Sequence, residues 1–125
     1  WMGNQCQPYP YVIDCDKELM VRIAQEDMVR GVTIAAGGFY GPQGRVLRLP
    51  LADPQQNEKI ESFRHGNLCI TNFEMESSAL AGLAKLLGHK ATTVCMVIAN
   101  RYAKEMNTSY KNTIETLIQK VLDRI

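Results

Sequence analysis

Several signals by which a chain declares its partner or compartment are missing here. The four cysteines, Cys6, Cys15, Cys69 and Cys95, include no close pair, which excludes CxxC redox centres and zinc ribbons. Cys15, Cys69 and Cys95 lie in or at the end of apolar runs, where a reduced thiol behaves as a small core residue, so a reducing cytoplasm is the expected compartment. No apolar run approaches the roughly 20 residues of a membrane helix. Lys and Arg number 14 against 13 Asp and Glu and are spread along the chain, which leaves no stripe for nucleic acid and no polybasic membrane patch. His65 and His89 each sit beside a glycine, have no metal-ligand spacing and read as surface residues, so no metal is expected. Neither GxxxxGK[ST], GxGxxG nor GxSxG occurs. Residues 1–8 have neither the basic nor the apolar region of a secretory signal, and the protein is expected to begin further upstream.

What remains is an ordinary globular composition, 46% hydrophobic and 22% charged, over 125 residues, enough for one domain with a core. Strand-like and helix-like patterns alternate. Tyr11-Val12-Ile13 reads as a short strand. Asp16 can cap a helix with Leu19, Met20, Ile23 and Met28 at helical spacing, ending at Arg30-Gly31. Val32–Ala36 reads as a buried strand, Gly37–Gly44 as a glycine-rich loop, and Asp53-Pro54 as a helix start. After the turn His65-Gly66-Asn67, Leu68-Cys69-Ile70 is a strand leading into a helix with Gly88 just past its end. Thr92–Ala99 is the longest β-like apolar run and is expected as a central strand. The last helix carries Tyr110, Ile114, Leu117, Ile118, Val121, Leu122 and Ile125 on one stripe. The alternation predicts an α/β fold, a layered α/β/α arrangement with a mixed β-sheet flanked by helices.

In such sheets ligands collect where strands hand over to loops and helix N-termini. Segments 37–45, 71–76 and 99–102 answer to that description. In the first, Phe39, Gln43 and Arg45 could converge on a flat heterocycle, the ring stacking while the carboxamide and guanidinium meet ring N–H groups and carbonyls. The same residues could equally form a surface turn. In the second, Glu74 and Glu76 flank Met75. They could be first-turn acids that complement a helix dipole, worth about 0.3–1 kcal/mol each. Alternatively, one carboxylate could accept two hydroxyls of a vicinal diol. In the third, Asn100-Arg101 follows the long apolar run, and Arg101 could meet either a ligand or solvent.

Together the three segments resemble the nucleoside phosphorylase superfamily, in its uridine phosphorylase branch. GVTIAAGGFYGPQGR (31–45) resembles the strand and base-binding loop of that branch, NFEMESSAL (72–80) its ribose-binding segment, and MVIANR (96–101) the strand whose end borders the base. By motif position the resemblance implies base binding by Phe39, Gln43, Arg45 and Ile98, ribose binding by Glu74, Met75 and Glu76, and catalytic roles for Gln43, Arg45 and Arg101. Glu76 would take the ribose hydroxyls, with Glu74 in a supporting position. Asn100-Arg101 stands where purine-acting relatives carry Ser-Asp, which favours a pyrimidine. The sequence departs from the usual pattern at Gly37-Gly38 and at Gly41-Pro42.

The reaction so implied is reversible phosphorolysis of a pyrimidine nucleoside to free base and ribose 1-phosphate. It needs no cofactor beyond inorganic phosphate as co-substrate. The partners implied are the nucleoside, phosphate and further copies of the chain, in a dimer-based assembly that often reaches a hexamer. Family members run about twice this length. Residues 1–125 are therefore expected to be a single domain, the C-terminal half of a phosphorylase-like domain, with the phosphate groups in an N-terminal half and little activity of its own. The alternatives are a purine nucleoside phosphorylase or nucleosidase, and a noncatalytic nucleoside-binding fragment.

Overall fold

The computed structural model describes residues 10–100 and 103–125. Helix α1 (Lys17–Ile23) starts as its sequence asks: Asp16 accepts the Leu19 amide at 3.0 Å, and Glu18 and Arg22 complement the dipole at the two ends. It stops earlier than the apolar spacing predicts, so Met28 lies beyond it. Arginine side chains take its last carbonyls, Arg124 donating to Ile23 O at 2.9 Å and Arg30 to Ala24 O at 2.8 Å. Tyr11–Ile13 is not a strand. Tyr11 and Val12 are exposed and no strand among the described residues bonds to them, and β propensity without a neighbouring edge does not make a ladder.

Strand β1 (Val32–Ala35) pairs in parallel with β3 (Leu68–Glu74), with Thr33 opposite Asn72 and Ala35 opposite Glu74. Strand β2 (Arg64–His65) joins β3 antiparallel through the turn at Gly66-Asn67. The sheet is therefore mixed, in the order β1-β3-β2, and the chain is α/β. Asn72 Oδ1 accepts the hydroxyls of Thr33 at 2.8 Å and Thr71 at 3.0 Å, a side-chain link across the parallel pair. A single 3-10 turn (Gly41–Gln43) and helix α2 (Gln56–Ser62) lie between β1 and β2. Asp53 does not begin α2 directly. Its carboxylate accepts the Gln55 amide and the Lys59 ammonium, and the helix proper starts at Gln56.

Helix α3 (Ser77–Leu86) ends in a Schellman motif. Gly88 takes φ 74°, and the His89 and Gly88 amides reach Ala84 O at 2.8 Å and Lys85 O at 3.3 Å. The run 92–99 is not a central strand. Only Ala99–Asn100 (β4) is paired, in a separate hairpin with Glu105–Met106 (β5). The run passes beside the main sheet, since the Cys95 thiol bonds the Asn72 side chain, yet residues 92–98 form no ladder. An apolar β-branched run encodes a preference for burial; strand status also requires a partner edge.

Helix α4 (Tyr110–Leu122) carries the expected stripe, with Tyr110, Ile114, Leu117 and Val121 half-buried. Leu117 and Val121, with the exposed Ile118, Leu122 and Ile125, line an open apolar groove of about 750 Å³ shared with Leu19, Leu83 and Leu87. Among the described residues the hydrophobic side chains buried deepest are Ile23, Ala36 and Ala81, so packing here is thin.

An ionic clasp joins the two ends of this helical layer. Asp27 accepts both terminal nitrogens of Arg124, at 3.0 and 2.9 Å, and the Lys120 ammonium at 2.8 Å. The Arg124 and Lys120 hydrogen bonds hold the Asp27 carboxyl far below the usual carboxylate range. A carboxyl depressed in the folded state stabilises above its unfolded pKa of about 4, and that contribution is lost as pH falls toward the folded value. Asp27→Asn should therefore lower Tm at neutral pH. It should also flatten the fall in Tm between about pH 5 and pH 2, measured by scanning calorimetry.

Candidate nucleoside site

The β1–β3 register brings two of the three motif segments together. Both strands point the same way, and the Ala36 amide donates to Glu74 O at 2.8 Å where they end. The 37–45 loop leaves one strand end and the 74–76 turn leaves its neighbour. This is where open α/β sheets place ligands.

In the loop, Arg45 lies over the Phe39 ring, its guanidinium carbon 3.5 Å from the ring centroid. Tyr40 meets the Phe39 ring edge-on, with centroids 5.3 Å apart. Phe39 stays half-exposed, while Gln43 is buried at 4% exposure. The turn is built on Tyr40 O, which accepts the Gln43 and Arg45 amides at 3.0 Å each, and on Gly41 O, which accepts the Gly44 amide at 2.8 Å. Of the loop's glycines only Gly44, at φ 72°, occupies the left-handed region. The others do not need glycine for their backbone angles, so the glycine-rich appearance overstates the constraint.

The two glutamates part company in the structure. Neither stands in the first turn of α3: Glu74 is the last residue of β3 and Glu76 is the N-cap. The Glu74 carboxylate turns back over the helix N-terminus. One oxygen accepts the Glu76 amide at 2.8 Å and the Ser77 amide at 2.6 Å, and the other accepts the Ser77 hydroxyl at 2.6 Å. Burial pushes the Glu74 pKa up, but the Ser77 hydroxyl and the Glu76, Ser77 and Met75 amides outweigh it, and the net shift is downward. Glu76 is exposed, as is Met75. Ser77 was not singled out from the sequence; Glu74-x-x-Ser77 reverses the usual capping-box order, in which Ser or Thr comes first and the acid three residues later, so that pattern does not mark it.

The third segment is placed differently. Ile98 is exposed, and its carbonyl accepts the Asn107 amide at 2.7 Å. Asn100 caps the Ala103 amide at 3.1 Å. Arg101 lies outside the described residues. Because β4 pairs, among the described residues, with β5 alone, ladder bonding there does not carry Ile98 to the ends of β1 and β3. Among the described residues no three His, Cys, Asp or Glu side chains gather in a way that could hold a metal ion.

The family model described as the phosphorylase superfamily matches residues 3–125. The chain belongs to that superfamily. Within it the likeness is to uridine phosphorylases. Uridine phosphorylase of Thermococcus kodakarensis is 35% identical over 101 residues, covering 78% of this chain and 36% of that protein. Uridine phosphorylase A of Schistosoma mansoni is 37% identical over 68% of this chain and 29% of its own length. The protein named inactive uridine phosphorylase B of the same organism is 36% identical over 66% of this chain and 28% of its own length. The chain thus spans about a third of the length of the curated relatives it matches. No solved structure matches it.

The Glu74 clasp makes a prediction independent of any ligand. Glu74→Ala removes the acceptor of three hydrogen bonds at the α3 N-terminus and should cost about 1–2 kcal/mol, the upper range of cap deletions. The stabilisation is complete above the ordinary Glu pKa and lost as pH falls through the lower folded value. Urea unfolding at neutral pH should show the loss, and at about pH 3 the gap between wild type and variant should narrow.

Proposed function

We propose that this chain supplies the base and ribose groups of a uridine phosphorylase-like enzyme, which converts a pyrimidine nucleoside and phosphate reversibly to free base and ribose 1-phosphate. The observation that carries the reading is the parallel register of β1 and β3. It starts the 37–45 loop and the 74–76 turn from neighbouring strand ends, one carrying an aromatic–guanidinium pair and the other an exposed carboxylate, the two kinds of group that a heterocycle and a vicinal diol call for. The uridine phosphorylases among the relatives support it. Phosphate groups would come from outside these 125 residues, in line with the share of the relatives that the chain spans. The whole enzyme would work in the cytoplasm as a dimer-based oligomer, with phosphate as co-substrate and no cofactor.

In this reading the base stacks against Phe39, with Ile98 along its border. Breaking the glycosidic bond sends an electron pair onto the base and leaves a cation-like ribose, so donors aimed at the base oxygens accelerate departure. Arg45, Gln43 and Arg101 take that part. Glu76 accepts the ribose hydroxyls and holds the sugar while phosphate attacks the opposite face, an orientation effect. Glu74, its carboxylate already committed to amides of α3, keeps the Met75-Glu76 turn in place, and Met75 forms a wall. A second reading, nucleoside binding without turnover, draws support from the relative named as inactive.

Assay of the whole protein separates these readings. Uridine with phosphate should yield uracil and ribose 1-phosphate, in preference to inosine or methylthioadenosine. Cleavage that proceeds without phosphate would sink the phosphorylase reading, and binding without product would favour the second. Glu76→Gln should weaken uridine about ten- to a hundredfold, the worth of a charge-assisted hydrogen bond, as read by titration calorimetry. The isolated 125-residue chain should show negligible turnover.

A further inference from the structure

Helix α2 attracts no attention as a sequence: it is short, polar and without a hydrophobic stripe. Yet two carboxamides in its first turn reach back to the 37–45 loop. Asn57 Nδ2 donates to Gly44 O at 3.0 Å, and Gln56 Nε2 donates to Pro42 O at 3.1 Å. These carbonyls flank Gln43, the buried residue of the loop. Contact is tight at the same point, since a Cβ built on Gly44 would fall 1.8 Å from Asn57 Oδ1. The inner side of the turn is closed by Tyr40 O and Gly41 O, and its outer carbonyls are closed by α2. Pro42 offers no amide of its own, so the loop depends on outside donors more than an ordinary turn does.

We propose that Asn57, assisted by Gln56, is a positioning residue for the base-binding loop: it fixes the Gly41–Gly44 turn and thereby the directions of Gln43 and Arg45. The inference rests on the reading of that loop as the base site. Asn57 itself touches neither base nor sugar. It acts through the Gly44 carbonyl, whose residue holds a left-handed backbone angle just before Arg45 leaves the turn. Losing this donor frees the turn to rock, and the affinity lost belongs to the base, because the ribose groups sit on another strand end.

The test uses the whole protein and three variants: Asn57→Ala, Asn57→Asp, which keeps the shape but removes the donor, and Gln56→Ala. Hydrogen exchange reads the loop without any ligand. The Gln43, Gly44 and Arg45 amides should exchange about fivefold faster in both Asn57 variants, the worth of one neutral hydrogen bond, while amides of α3 stay unchanged. Gln56→Ala should have a smaller effect and guards against a fold-wide loss. Uracil affinity should fall about fivefold with ribose 1-phosphate affinity unchanged, so KM for uridine rises more than kcat falls. Unchanged loop exchange overturns the clamp whatever the ligand. Faster exchange with undiminished uracil affinity, or an equal loss for uracil and ribose 1-phosphate, overturns its role in base binding. Failure of the wild-type protein to bind uracil or any other free base overturns the reading of the loop itself.

Discussion

Everything proposed for this chain depends on one parallel pairing, β1 against β3. Its register sets the residue that ends one strand beside the residue that ends the other, and the two motif segments follow from those points in opposite chain contexts: a compact loop in one case, a helix N-terminus in the other. A slip of one residue would turn every side chain of a strand to the opposite face and shift the start of the loop against the start of the turn. The Thr33–Asn72 hydrogen bond resists such a slip, because a shifted strand would take the Thr33 hydroxyl away from a part-buried amide oxygen.

Each segment is then held by a side chain that the reading does not assign to ligand contact. The loop is held by carboxamides of α2 and the turn by the carboxylate of Glu74. In both places side chains satisfy backbone groups that would otherwise be left open where regular structure ends. Binding groups supported in this way lose less freedom on meeting a ligand than groups on an unsupported loop. In the proposed site the supporting residues would count as much as Phe39, Arg45 or Glu76.

Legibility in the sequence followed the range of the interaction. The Asp16 cap, the Gly88 terminus and the α4 stripe were readable because each depends on residues within a turn or two. The α/β class was readable from alternation, and the family from three short motifs in order. The run 92–99 was misread because its composition reports burial, and a ladder also needs an edge that no local pattern describes. The division between Glu74 and Glu76 was implied by the resemblance, but its physical cause was not legible. Two residues apart in sequence they are equivalent carboxylates, and only the end of β3, falling between them, sends one back over the helix and leaves the other exposed. Asn57 gave no signal at all, since its partner is a carbonyl thirteen residues away and one carboxamide in a polar segment looks like any other.

The stack of Arg45 on Phe39 makes the two faces of that ring unequal. A flat ligand arriving on the uncovered side completes a sandwich and leaves the cation where it is. One arriving on the covered side must first lift off a guanidinium held by about 0.5–1 kcal/mol at an exposed aromatic. Its apparent affinity is then reduced to the fraction of molecules whose covered face happens to be clear. If the base stacks on Phe39 as proposed, Arg45 would be a resident competitor, selecting the direction of approach before any hydrogen bond has read the edge of the ring.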